Sequence, residues 1–565
     1  MKILSEAGTD QPASTPLAET PDLHGAYPCL SDDQIAVLEA GGARRTVDTG
    51  DTLVREGERS DYFFVILSGK VAVIATDEAG DRHVIRVHGP GRFLGELGDL
   101  EGQAAFYTAE VVEPGEVLAI PNERVRALVA HDPVLSDLIL RAYLLRRSLL
   151  IQDGSGFRII GSSYDPDTVR LCEFAARNRL PHRWIDLERD KQAERLMQRF
   201  GISPQDAPVV IWGGDVLRNP STAELARRVG LPVADTAPTE CDVVVVGAGP
   251  AGLGAAVYGS SDGLITAALE RIATGGQAGT SSRIENYLGF PGGISGADLA
   301  ERAMLQAGKF GARITVAAEV TQLESDSGHH MLHLADHSTV IARAVVLATG
   351  ARYRRLAVPG IEEFEGKCVY YAATYHEALM CGTGPVVIVG GGNSAGQAAV
   401  FLAERVSRVY LVIRGDDLNK DMSRYLVDRV SQHPRVKVRL CTEVREVHGD
   451  HSLTEVVVED NRTGERQSLP ARALFVFIGA VPNTAWLAGA IKLDDHGFAA
   501  TGAAALYTDI DSKNGQRSRR PMMLETSRPG VFAAGDVRSG SVKRVASAVG
   551  EGSMAIRQIH EYFGT

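Results

Sequence analysis

No two of the six cysteines (Cys29, Cys172, Cys241, Cys368, Cys381 and Cys441) are spaced as C-x-x-C. The chain therefore lacks a motif dithiol, and no His/Cys cluster has zinc-finger spacing, so no metal is expected. A disulfide framework is not expected in a cytosolic chain of 565 residues, and most of these thiols read as small buried hydrophobes. No apolar run is long enough to span a bilayer. The N-terminus, MKILSEAGTDQPASTPLAETPD, lacks the apolar stretch of a secretory signal, and residues 1–26 read as a disordered lead-in to a cytoplasmic protein. A net charge of -12 disfavours a general nucleic-acid surface, so neither nucleic acid nor membrane is an expected partner. What remains, 44% hydrophobic and 23% charged, is an ordinary soluble composition with length for about three or four domains.

Against these absences stands one stretch, CDVVVVGAGPAG, from Cys241 to Gly252. Val243 to Val246 suit a parallel strand buried on both faces. Gly247, Gly249 and Gly252 follow as G-x-G-x-x-G, giving a tight turn, close approach of backbone to a pyrophosphate, and close helix packing. The helix N-terminus supplies amide donors for the phosphates. About twenty residues on, a second apolar strand ends in Glu270, placed to bind a ribose hydroxyl. A second motif of this kind, Gly390, Gly392 and Ala395, follows the strand VVIV, and Ala395, Ala398, Ala399, Leu402 and Ala403 share one helix face.

Ahead of these motifs lie two other modules. Asp48 to Ile120 reads as short strands with close turns, a small β-roll or barrel. A helix from Pro133 to Ile151 follows, its apolar stripe formed by Leu135, Leu138, Ile139, Ala142, Leu145 and Leu149, with Arg141, Arg146 and Arg147 off that stripe. The EG and SGKV turns and GRFLGELGDL resemble the cyclic-nucleotide-binding domain of the catabolite-activator type, over roughly Leu30 to Gln152. The resemblance implies a phosphate-binding cassette at Gly95, Glu96 and Leu97, with the glutamate on the ribose. The family's phosphate arginine is missing, and Tyr107 or a neighbour stands in its place. Loss of that charge-assisted contact makes a regulatory or dimerising module the expected role rather than cyclic-nucleotide binding. No helix-turn-helix follows, which disfavours a transcription factor.

Gly156 to Gly230 reads β-α-β-α-β-β-α and resembles the thioredoxin/glutaredoxin fold, with Ala207-Pro208 at the family's cis-proline turn. Asp165-Pro166-Asp167-Thr168 occupies the place of C-P-x-C. Neither Asp nor Thr performs thiol–disulfide exchange, and both aspartates read as helix caps.

From Glu240 onward five motifs, in family order, resemble the thioredoxin reductase family of FAD enzymes. The resemblance implies a split FAD domain with a nicotinamide domain inserted. It assigns Gly247, Gly249, Gly252 and Glu270 to the ADP half of FAD, Gly276, Gln277 and Asn286 to the flavin side, and Gly350, Gly535 and Asp536 to the same cofactor. Gly390, Gly392, Asn393, Ser394 and Ala395 fall to the nicotinamide dinucleotide. Arg414, with Lys420 and Arg424 near it, replaces the acid expected of an NAD site, so NADPH is expected and NADH stays open. The family's C-A-T-C-D run is here Ala372-Ala373-Thr374-Tyr375-His376, with both sulfurs gone and His376 a candidate proton donor.

The expected fold class is multidomain: a β-roll with a C-terminal helix, a thioredoxin-like α/β domain, and two Rossmann-like α/β domains. Expected bounds are 27–152, 156–231, a linker at 232–239, an FAD domain at 240–355 and 480–565, and an NAD(P)H domain at 356–479. The expected function is an FAD-dependent NAD(P)H oxidoreductase, a homodimer, whose acceptor is not a disulfide: a quinone, a flavodoxin or ferredoxin, oxygen, or another protein. Two alternatives stay open, a redox-sensing signalling flavoprotein and a thioredoxin-disulfide reductase using cysteines outside any motif.

Overall fold

The structure, a computed structural model, describes the chain except for residues 1–16, 77–81, 191–192, 234–238, 282, 327, 366, 372, 374–376, 379–380, 451, 507–518 and 565. Two compact units result, Met1–Phe157 with Trp212–Asp215, and Arg158–Ile211 with Val216–Thr565. Among the described residues no helix is long and apolar enough to cross a membrane.

The first unit is the expected β-roll. Its antiparallel strands lie in the order Ala43–Val47, Thr108–Pro121, Tyr62–Thr76, Arg82–His88, and Thr52–Val54 also pairs with Thr108–Pro121. Phe63 stacks on Phe93 at 5.2 Å in its core. The long helix runs from Pro133 to Gln152, started by Asp132, whose carboxylate accepts from the Val134 and Leu135 amides. The helix corrects one expectation. Arg146 and Arg147, read as lying off the apolar stripe, are buried with Tyr143. Guanidinium groups are buried only when paired or hydrogen-bonded, and each finds a partner in the roll.

Along the chain a four-stranded sheet follows, in the order His182–Asp186, Phe157–Gly161, Val209–Trp212, Asp215–Arg218, with helices Pro166–Arg177 and Thr222–Val229. This is the thioredoxin-like arrangement, and the Ala207-Pro208 peptide is cis. Thr168, Leu171, Cys172 and Ala175 form the buried helix face; Val169, expected there, is only half-buried.

Next comes a seven-stranded sheet with its parallel heart at Thr266–Leu269, Thr239–Val246 and Thr339–Leu347. Val243, Val244 and Val245 are fully buried, as a strand covered on both faces must be. Val531–Ala533 returns from near the C-terminus to pair in parallel with Val345–Leu347. The two halves of the split domain are thereby one sheet. Between them lies a five-stranded parallel sheet, in the order Val369–Tyr370, Ala473–Val476, Val386–Val389, Val409–Val412, Val436–Arg439. The chain enters and leaves this insertion along one antiparallel pair, Ala351–Tyr353 with Ala480–Pro482.

Candidate functional site

The first Rossmann turn is built by sterics. Gly247 has φ +99, and a Cβ on it would press on the Ala348 carbonyl. A Cβ on Gly252 would overlap the Gly247 carbonyl oxygen, so this helix can approach its strand only with glycine there. Gly249 is the N-cap of helix Pro250–Ser261 and brings no side-chain acceptor; Pro250 fills the first turn. The first-turn amides are thus left for an external anion. Glu270 closes the neighbouring strand end, its carboxylate held by the Ala248 amide at 2.8 Å and the Ile272 amide at 3.0 Å. Its remaining lone pairs suit ribose hydroxyls.

Two further segments converge on this turn. Gly276, at φ +52, packs backbone to backbone against Gly249. Gly535, at φ +77, sits where a Cβ would press on Ala251, and this sets Asp536 beside the start of the same helix. Burial raises the Asp536 carboxyl above the usual range, and no hydrogen bond reaches its oxygens from the described residues. A half-buried carboxylate without a donor, beside glycine-capped amides without an acceptor, fits a ligand that carries hydroxyls and phosphates, as FAD does. Gly350, at φ +64, accepts the Asn483 amide at 3.0 Å where the two connecting passes cross. Gln277 and Asn286 are exposed side chains near this region of sequence, and they are not drawn into the cluster by any hydrogen bond of their side chains.

The second Rossmann turn repeats the design. Gly390 has φ +136, with the Phe477 carbonyl where a Cβ would sit. Gly392 caps helix Asn393–Ala403, again without a side-chain acceptor. Ala395 is fully buried and Ser394 exposed. Asn393 does more than line the turn: its Oδ1 accepts the Ser423 amide at 2.6 Å and ties down the segment that carries Arg414 and Lys420. Both of those side chains are exposed, and the nearest acid to Arg414 is Glu443, at 4.0 Å. The glycine cap and a loosely engaged arginine at the next strand end fit a phosphorylated dinucleotide such as NADPH.

His376, with Ala372, Thr374 and Tyr375, lies outside the described residues. Cys368 and Cys381, which flank that segment, are free and buried. Cys368 belongs to the buried apolar cluster that includes Val387 and Val389, and Cys381 to the one that includes Val386 and Ile388. Burial, then Cys368 and Glu377, push the Cys381 thiol up to about 12, so at neutral pH it is not a thiolate.

Sequence reasoning missed a set of contacts from the thioredoxin-like segment. Arg179 pairs with Asp298 at 2.7 Å and with the buried Glu301 at 3.1 Å, and the Asn178 amide donates to the Ile272 carbonyl at 3.0 Å. Arg177 donates to the Gly276 carbonyl at 3.4 Å. Tyr353, raised by burial and hydrogen-bonded to Thr280, feels both Asp536 and Arg177.

The cassette of the first unit is organised in the opposite way. The Gly95 amide donates to the Tyr107 hydroxyl at 2.9 Å, which accounts for the tyrosine in the arginine's place. The Glu96 amide donates to Asp99 at 2.9 Å, and the Gly98 amide to Glu96 itself at 2.9 Å. Glu96 is fully buried in a two-pronged pair with Arg147, whose Nε and Nη2 lie 2.8 and 3.0 Å from its oxygens. Leu97 is buried beneath. Removing either partner of this pair leaves the other charge buried and uncompensated.

Comparison with known proteins follows this division. The family model "Pyridine nucleotide-disulphide oxidoreductase" matches residues 241–552, and "Cyclic nucleotide-binding domain" matches residues 44–132. The thioredoxin reductase of Treponema pallidum (strain Nichols) is 35% identical over 327 residues, 58% of this chain and 98% of that protein. A "34.2 kDa protein in rubredoxin operon" of Clostridium pasteurianum is 33% identical over 325 residues, 58% of this chain and 98% of its own length. Among solved structures, T. acidophilum thioredoxin reductase covers 58% of this chain and 99% of its own, at 30% identity and a TM-score of 0.52.

Proposed function

From the premise that this chain belongs to the pyridine nucleotide-disulphide oxidoreductase family, we propose that it oxidises NADPH with FAD and delivers the electrons to an acceptor other than a disulfide. Bound FAD supplies hydride acceptance from the nicotinamide and onward electron release. The chain's own residues hold and orient. The helix capped by Gly249 binds the pyrophosphate, Glu270 the adenosine ribose, and Asp536 accepts from the ribityl hydroxyls. Gly276, Gln277, Asn286, Gly350 and Gly535 complete that site. Gly390, Gly392, Asn393, Ser394 and Ala395 bind the nicotinamide dinucleotide, with Arg414 and Lys420 on the 2'-phosphate. His376 is the candidate proton donor.

One observation carries the acceptor's class: both phosphate-binding turns are complete while the chain contains no C-x-x-C. A quinone, a ferredoxin or flavodoxin, oxygen, or another protein is the acceptor. The names of the relatives favour a second reading, reduction of a disulfide through Cys368 or Cys381. Two buried thiols that belong to separate apolar clusters, with Cys381 held protonated at neutral pH, speak against it. Anaerobic dithionite titration separates the two. The expected end point is two electrons per FAD, with no long-wavelength thiolate–flavin band and no NADPH-driven reduction of thioredoxin. An end point near four electrons, lost in Cys368→Ser, overturns the reading.

A further inference from the structure

A cleft open to solvent, with about 420 Å³ of empty space counting its mouth, lies between the roll and the long helix of the first unit, and its walls include Tyr27, Val73, Ile85, His88, Arg146 and Leu150. Most of that wall is apolar or aromatic. Two polar side chains in it are more than nine-tenths buried and incompletely used. Arg146 donates from Nε to the Ala26 carbonyl and from Nη1 to the Gly95 carbonyl, each at 2.7 Å, but among the described residues its Nη2 has no partner. The Nδ1 of His88 has none either. A guanidinium is always charged and has no acceptor, so the unused Nη2 is a buried donor on a residue of the cleft wall.

The surrounding charge makes the same demand. Arg146 rests against the rings of Phe93 at 4.3 Å and Tyr27 at 5.3 Å, and among the described residues its hydrogen bonds go to carbonyls and not to a carboxylate. Glu96 is committed to Arg147. Arg86, also on the wall, is paired with Asp153 at 3.2 Å. Burial, with Arg146, Arg92 and Arg86 near it, keeps the His88 imidazole neutral down to about pH 3, so it can present an N–H without adding charge. Among the described residues the cleft thus holds a buried guanidinium to which no carboxylate is hydrogen-bonded, with Asp99 acting on it through the field alone. A phosphodiester finds nothing at the cassette, because the Gly95, Glu96 and Gly98 amides already donate within the chain.

We propose that this cleft binds a small carboxylic acid with a planar apolar body, its carboxylate on Arg146 and His88 and its body against the apolar wall, and that it does not bind a cyclic nucleotide. The inference is independent of the electron acceptor.

Calorimetry on the full-length flavoprotein tests it, with benzoate, benzyl alcohol and cyclic AMP as probes. Benzoate should bind at least tenfold more tightly than benzyl alcohol, and Arg146→Gln should remove that preference. Because Arg146 is buried and its replacement can compromise the fold, Ile85→Trp provides the second arm: it fills the cleft, leaves Arg146 in place, and should abolish benzoate binding with flavin content unchanged. Equal affinity for benzoate and benzyl alcohol, no binding of benzoate at millimolar concentration, benzoate binding that survives Ile85→Trp, or cyclic AMP binding tighter than benzoate would each overturn the proposal.

Discussion

The cassette of the first unit and the two Rossmann turns of the second face one problem, a glycine-bearing loop that starts a helix and leaves amides to be satisfied. The Rossmann turns put glycine at the cap and provide no acceptor of their own. The cassette puts Glu96 at the cap of helix Leu97–Glu101 and closes a reciprocal box with Asp99. One arrangement waits for a ligand; the other has replaced the ligand with its own side chains. Motif residues and the donors they offer are separate properties, and only the donors bind.

The largest test of this contrast is to block a turn that waits. Gly252→Ala should yield protein without flavin, because the new methyl overlaps the Gly247 backbone and the helix cannot stay close; the ratio of visible to ultraviolet absorbance reads it. Next is the closed cassette. Arg147→Met leaves Glu96 buried and alone, and should cost the first unit about 3–5 kcal/mol in denaturant melts while flavin content holds. Equal loss in both units would show that the sealed cassette is not a local device. Asp536→Ala should weaken flavin retention by about 1–3 kcal/mol, measured by FAD release on dilution. Arg414→Ala should raise the half-saturating NADPH severalfold and leave NADH unchanged; equal effects on both would make the residue structural. The smallest effect is a slope. Burial and the neighbouring Glu96 raise Asp99 from 3.8 to about 7. Between those values the folded chain holds a proton that the unfolded chain has lost, so its contribution to stability falls as pH rises from about 4 and levels off above about 7. Asp99→Asn should flatten the melting temperature of the first unit across that window.

Much of the second unit was legible because its logic is local. Glycine spacing, a β-branched run and an acid at the next strand end describe geometry within a few residues, and Gly247, Gly252 and Gly390 sit where those patterns require them. Asp165 was legible as a cap for the same reason; it accepts from the Asp167 and Thr168 amides. The sealed cassette was not legible. Its partners are far apart in sequence, Glu96 with Arg147 and Gly95 with Arg146, and helical periodicity placed both arginines off the apolar stripe. A leucine-rich stripe shows which side packs, not how far burial spreads around the helix. The anchoring of Arg179 was hidden too, since nothing near it in the chain names Asp298 or Glu301.

That anchoring has a kinetic meaning. A thioredoxin-like segment that carries electrons must leave its docking place once in every turnover, and its tether then supplies a high effective concentration at each end of the journey. Here the segment is fastened to the flavin-domain framework by Arg179 and Asn178. Those contacts oppose such a departure. On the proposed reading the electrons leave with a molecule that diffuses in and out, and the rate of the oxidising half-reaction is expected to rise in proportion to that molecule's concentration until another step limits it.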